Sequence, residues 1–343
     1  MKDKKEYKKA EYGILITGLI VLLAAVCVIA LCAGQYSVSV PEVVKILASR
    51  FVNVTKTWNN TAEGVVFTLR LPRIIGAVLV GSALSLSGAA YQGVFQNPLV
   101  APDLLGVSSG ACVGASVAIL LHLNSFGVQA MAFGAGILAV GLTIFIPHLI
   151  RNTNMTMLVL SGIIVKGIMD SVMGIIKYVA DPETELQSIT YWQLGSLTKV
   201  LPRDLMAVGP VIILGALVIF LLRWRINILS LGDKEAKTLG VSVSLVRNLL
   251  IICATLLTAS AVCISGTIGW IGLVIPHFAR MITGPDNTKA IPVSILMGAI
   301  FMVVIDTMAR ALTSVELPLS ILTGIIGAPF YILILARQRM KLS

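Results

Sequence analysis

Charge is what this sequence has least of. Lys, Arg, Asp and Glu make up only 12% of its 343 residues, against 57% hydrophobic residues and a mean hydropathy of +0.95. A soluble domain of this length carries about a quarter of its residues as charges, so a fold wrapped in water is excluded. Histidine is nearly missing: His122, His148 and His277 lie too far apart to suggest a metal cluster. The five cysteines, Cys27, Cys32, Cys112, Cys253 and Cys263, form no C-x-x-C pair and fall in apolar runs, where a thiol behaves as a small hydrophobe. No G-x-x-x-x-G-K-[ST] loop is present to cradle nucleotide phosphates. No Ser/His constellation supports an intramembrane enzyme. The expectation is a chain with no catalytic residue, no metal and no cofactor of its own.

What is present is a succession of ten apolar runs, at about 12–34, 71–95, 104–121, 126–149, 155–179, 204–223, 245–265, 268–283, 290–312 and 318–336. About 20 such residues in a helix cross roughly 30 Å of hydrocarbon. The basic start "MKDKKEYKKAE" followed by the first run has the outline of a signal peptide. That run is long for one, however, and no small-x-small cleavage site follows. "IALC", ending at Cys32, carries Leu31 where a lipobox takes a small residue. The first run is therefore expected to stay as a span of an all-α, polytopic membrane domain covering 1–343. With the N-terminus inside, the net charge of +10 divides unevenly: sixteen Lys and Arg fall on inner segments, nine on outer ones, and Lys166 within a span. That bias follows the positive-inside rule. It orients the chain in a lipid bilayer with both termini cytoplasmic and needs no nucleic acid to explain it.

The stretch "GTIGWIGLVIPHFAR" (266–280) sets glycines, a Trp and a Pro inside an apolar run. Sliding 82–106 against 260–284 matches seven of twenty-five residues, among them Gly88 with Gly266, Pro98 with Pro276 and Gly106 with Gly284. Because the two copies start from oppositely oriented spans, they outline an inverted repeat of the kind transporters use. In both copies Ser-Gly precedes a Pro by ten residues, which predicts two helices that end or break near the inner surface. Irregular backbone at that depth survives only where protein or a water-filled cavity satisfies it.

Three groups of residues need an explanation beyond spanning. Arg70, Arg73 and Arg310 lie at the outer ends of spans, against the charge trend. They form either a cationic rim for a carboxylate-bearing partner or a snorkelling set, with Arg310 pairing Asp306 at i,i+4. Lys166 and Asp170 sit near the middle of the fifth span, also at i,i+4. They either neutralise each other or mark a permeation pathway. The inner loop 224–244, "WRINILSLGDKEAKTLGVSVS", predicts a short polar helix over 233–239 between Gly232 and Gly240, with Asp233 as N-cap. It is either a docking element or a solvated connector.

Several stretches, taken together, resemble the permease subunits of ABC importers for iron chelates and vitamin B12, the FecCD-type family. They are "RLPRIIGAVLVGSALSLSGAAYQGVFQNPLVAPDLLGVSSGA" (70–111), "YWQLGSL" (191–197), "LGDKEAKTLGV" (231–241), "SGTIGWIGLVIPHFARMITGPDN" (265–287) and "ELPLSILTGIIGAPFYILIL" (316–335). The resemblance implies a type II importer permease fold of ten helices in a bacterial plasma membrane. It also implies a homodimer, or a pair with a similar permease, with the substrate path between protomers. The substrate class would be a metal chelate: a ferric siderophore, haem or a corrinoid. A cytoplasmic ATPase dimer, the user of ATP and Mg, would dock on the inner loop, here at Gly232, Asp233, Glu235, Ala236, Leu239 and Gly240. An extracytoplasmic binding protein would meet Arg70, Arg73 and Arg310. "GPDNTK" (284–289) departs from the family's "GxDHR"-like element, and Ser320 stands where a Gly is common. Lys166 and Asp170 match no family motif and stay candidate pathway residues. The alternative is an ion-coupled secondary transporter with Lys166 and Asp170 as its coupling site, which would leave the inner loop without a purpose.

Overall fold

The computed structural model describes the backbone of residues 2–152, 154–313 and 315–339, with side chains for all of these except 2–9 and 333–339. Of the basic residues that weigh in the orientation argument, Lys2, Lys4, Lys5, Lys8, Lys9, Arg337, Arg339 and Lys341 lie outside the described side chains.

Among the described residues every regular element is helical, as a chain in hydrocarbon requires if it is to pair its own backbone. In order these are α1 (Lys2–Cys32), α2 (Val40–Ala48), α3 (Asn60–Gly64), a π-helical turn (Val65–Arg70), α4 (Leu71–Val94), a 3-10 turn (Pro102–Leu105), α5 (Val107–Leu120), α6 (Ser125–Leu149) and α7 (Met155–Val179). Then follow α8 (Glu185–Leu194), α9 (Pro202–Leu229), α10 (Asp233–Thr238), α11 (Val243–Ser265), α12 (Ile271–Thr283), α13 (Asn287–Ala311) and α14 (Leu319–Arg339). Among the described residues seven apolar helical stretches are long enough to cross a bilayer, and the shorter apolar helices α5, α12 and α14 supply the other three expected runs.

The bundle is built around α4 and α11. Their most apolar stretches are 78% buried, against 11% for α1 and 22% for α9, which keep most of their surface for lipid. Small residues make the centre possible, because they let backbones touch. A Cβ on Gly88 would come within 1.8 Å of the Gly272 carbonyl oxygen, so α4 and the start of α12 pack backbone to backbone. Polar stitches reinforce the centre: Ser87 lies 2.7 Å from Thr258, Tyr91 lies 2.8 Å from Thr255, and Ser85 donates to the Ser294 carbonyl at 2.8 Å.

The 266–280 stretch is a broken helix, as its composition suggested. Helix α11 stops at Ser265, Gly266 takes φ 69°, and α12 begins at Ile271. The expected register is corrected, and so is the expectation that both breaks lie near one surface. Gly88 sits inside the continuous α4, whereas its partner Gly266 is the break itself. The helix breaks of the two copies lie at opposite ends of the bundle, as an inverted repeat requires. The turn after α4 is tied by Gln96 to the Leu229 carbonyl (2.6 Å) at the end of α9. The break after α11 is tied to the segment after α8, with the Ser196 amide donating to the Ser265 carbonyl (2.8 Å). At about 1.5 Å per residue, the 23 residues of α11 hold these ends more than 30 Å apart.

Candidate functional site: two ends and a cavity

At one end, α9 runs six residues past the expected end of its span, so the inner loop shrinks to 230–242 with α10 inside it. Glycine is required on both sides of α10. Gly232 adopts φ 115°, ψ 159°, and Gly240 adopts φ 76°. Both conformations are costly for any residue with a Cβ. The Val241 amide donates to the Ala236 carbonyl and the Gly240 amide to the Lys237 carbonyl, the paired bonds of a left-handed helix stop. The expected N-cap is corrected. Gly232 occupies that position, Asp233 is the first helical residue, and its carboxylate pairs with Arg247 of α11 at 2.5 Å. Ala236 is fully buried against the bundle, while Glu235 and Leu239 are exposed, as is the apolar Leu231. An anchored helix thus presents an apolar and charged surface outward.

At the opposite end, Arg70, Arg73 and Arg310 come together as expected, but their guanidinium groups are buried and spent on the chain itself. Arg70 donates to the carbonyls of Leu31 (2.5 Å), Cys32 (3.2 Å) and Tyr36, and Arg310 to those of Ala30 and Ala33. The last carbonyls of a helix have no partner within it and carry its negative pole, and these two arginines supply that partner for α1. Arg73 pairs with Asp306 at 2.7 Å and Glu316 at 2.8 Å, and Arg310 reaches Asp306 at 3.7 Å. The free cationic rim is therefore corrected to a structural cluster of three arginines and two carboxylates, one positive charge in excess.

Between the ends, the expected Lys166–Asp170 pair is not formed. Lys166 pairs instead with Asp103 of the 3-10 turn at 3.2 Å, and Asp103 also accepts from the Ser108 amide at 3.0 Å. Helical spacing identifies neighbours on one helix and is blind to a carboxylate brought in from another element. Asp170 is exposed and makes no hydrogen bond or ion pair among the described residues. It faces a cavity of about 290 Å³ whose wall includes Asp103, Ser108, Gln193, Thr267 and Trp270. Trp270 forms a γ-turn at φ 72°, ψ −37°, with the Ile271 amide bonded to the Gly269 carbonyl. A bulky residue rarely holds a positive φ, and such strain collects at working sites.

The end of α8 lies between this cavity and a vestibule of about 960 Å³ beside the arginine cluster, lined by Tyr191, Leu194, Val315, Glu316 and Pro318. Gln193 lines the cavity and Leu194 the vestibule. The partition is tied down by Ser320, which donates to the Leu194 carbonyl at 2.7 Å, and by the Leu319 amide, which donates to the Gly195 carbonyl at 3.0 Å.

Two residues at the α10 end escaped sequence reasoning. Buried Gln92 of α4 donates to the carbonyls of Gly272 and Leu273 and accepts from Arg280. Asn227, in the last turn of α9, donates to Asp286 at 2.7 Å and accepts from both the backbone and the side chain of Asn287. Burial would push the Asp286 carboxyl up, but hydrogen bonds from Thr288 and Asn227 hold it below its ordinary value. A lone amide in an apolar span was the available signal for Gln92; Asn227 follows basic residues and carried none.

A broken-helix bundle with a glycine-bounded helix at one end and a vestibule at the other suits a membrane permease. The chain belongs to the FecCD transport family, whose model matches residues 22–337, and so is the permease of an ABC importer. It is 38% identical over 322 residues to the molybdate import system permease protein MolB of Haemophilus influenzae, covering 93% of this chain and 94% of that one. It is 41% identical over 275 residues to a probable iron chelatin transport system permease protein of Helicobacter pylori, covering 80% and 83%. A solved structure described as a metal-chelate type ABC transporter in an inward-facing conformation superimposes with a TM-score of 0.84 at 35% identity, covering 94% of this chain and 99% of that one.

Proposed function

We propose that this chain carries a metal chelate, a ferric siderophore, haem or a corrinoid, into the cytoplasm. It is powered by a separate ATPase dimer and fed by an extracytoplasmic binding protein. The observation that carries this reading is α10: a helix set between two glycines, anchored through Ala236 and the Asp233–Arg247 pair, with Glu235 and Leu239 turned outward. An anchored helix of this kind moves as a unit with α9 and α11, so closure of a docked ATPase reaches the spans. The termini share the ATPase side. Binding-protein docking falls to the rim around Glu316 and Thr198, which the arginine cluster holds in place and whose excess positive charge attracts an acidic partner. Two copies, or this chain and a similar permease, enclose the path, because Lys166 and Asp170 are exposed at membrane depth and charges there face water or protein. The ion-coupled alternative loses its coupling pair, since Lys166 is held by Asp103.

The test is co-purification in mild detergent with an ATPase encoded beside the permease. The wild type is expected to retain the ATPase, and a Leu231→Asp/Leu239→Asp variant of unchanged elution volume is expected to lose it. A wild type that never retains an ATPase overturns the reading.

A further inference from the structure

Resting on that importer reading, we infer that the cavity between α4, α5, α7, α11 and α12 receives a substrate whose leading face is cationic or rich in hydrogen-bond donors, and that it disfavours a compact oxyanion. Three observations carry this. First, among the described residues the charged groups lining the cavity are both carboxylates, Asp103 and Asp170. Second, Lys166 is outside that lining and makes its ion pair with Asp103 at 3.2 Å, so Asp170 is left without a direct ion pair. Third, Asp170 lies well inside α7, fifteen residues from its start, without a hydrogen bond. A carboxylate without a direct partner at that depth is costly unless water or a ligand reaches it.

The rest of the lining suits the same ligand. Gln193, Thr267 and Ser108 supply neutral hydrogen-bonding groups, and the Trp270 indole offers an aromatic face that attracts a cation. An oxyanion would meet two carboxylates and no lining ammonium or guanidinium. At the reduced effective dielectric of a protein interior, one unpaired unit charge repels an anion by several times RT at a distance of a few ångströms. The molybdate permease relative therefore does not settle the substrate of this chain, and among the chelates the cavity charge favours one that presents amides or other hydrogen-bond donors instead of carboxylates.

The test reads the sign of that field without depending on transport. The five native cysteines are replaced by alanine and a reporter thiol is placed at Gly269→Cys, where an added Cβ meets nothing within 4 Å, or at Ser108→Cys. Each full-length variant, checked for an unchanged elution volume, is reacted with cationic and anionic methanethiosulfonates of similar size, with rates normalised to a free thiol in solution. The cationic reagent is expected to react faster by about tenfold, the scale of electrostatic focusing in a charged cleft. That preference is expected to collapse in Asp170→Asn, which leaves no hydrogen-bond partner stranded. An anionic preference, or a cationic one that Asp170→Asn leaves unchanged at both reporters, overturns the inference. So does uptake of molybdate by the complete importer. Loss of ATPase co-purification with the cationic preference intact would remove the importer reading and leave the cavity's charge standing.

Discussion

At the residue scale, the outer arginines show how burial changes what a side chain is for. A guanidinium removed from water needs all its donors occupied, and Arg70 meets that need with the end of α1. Arg70→Ala is expected to destabilise the protein by roughly 2–4 kcal/mol, through lost charged hydrogen bonds and stranded carbonyls. Thermal unfolding in detergent should show a lowered midpoint for Arg70→Ala and no change for Lys199→Ala, whose side chain is exposed. An unchanged midpoint with weaker binding-protein affinity would restore the free-rim reading. Glu316 makes the cluster sensitive to pH. Burial would push its carboxyl up, but hydrogen bonds from Arg73 and Thr198 and the Arg73 charge hold it below the ordinary carboxylate value. A carboxyl lowered in the folded state contributes its stability above the unfolded value, about 4.3, and loses it as pH falls through the lowered one. Glu316→Gln should therefore melt below wild type at pH 7, and the gap should close as the medium is acidified beneath about pH 4.

At the element scale, the ten apolar runs were legible as helices because hydropathy decides them, and the helix stops at Gly240 and Gly266 were legible because glycine punctuates a helix. What local pattern missed was where a helix end is held. Asp233 looked like an N-cap by position, but Arg247 of α11 takes its carboxylate. The two glycines predict different outcomes. A Cβ on Gly240 meets open space, so Gly240→Ala should cost only about 1 kcal/mol, from the positive φ alone. The protein should purify normally while retaining less ATPase. A Cβ on Gly266 would come within 2.2 Å of the Trp192 carbonyl oxygen, so Gly266→Ala forces apart the break and the segment after α8. Its gel-filtration peak should broaden or vanish, and a sharp peak with wild-type uptake would show that the junction yields easily.

At the scale of the whole molecule, the distance between α10 and the vestibule has to be bridged by rigid elements. Asn227 is placed for this: from the turn of α9 nearest α10 it grips Asp286 and Asn287 at the start of α13. Helix α13 ends at the arginine cluster, where Asp306 and Arg310 lie. Asn227→Ala is expected to leave ATP hydrolysis by the assembled importer near wild type and to lower uptake per ATP by about 2- to 30-fold, the size of a 0.5–2 kcal/mol coupling. Hydrolysis and uptake falling in parallel would make the clamp a purely structural one.

The sequence by itself determined that this chain lives in a bilayer, where its apolar helices fall, which loop carries a helix between two glycines, and, through its motifs, the family. These are properties of composition, run length and local order, and they survive without any knowledge of neighbours. Only the tertiary structure decided the partners of its charges. Arg70 caps a helix 39 residues earlier in the chain, and Arg73 meets an aspartate 233 residues later. Lys166 turns from the carboxylate one helical turn away to another 63 residues off. In a low-dielectric bundle a charge goes to whichever opposite group the packing brings within reach, and that choice is made by how helices cross.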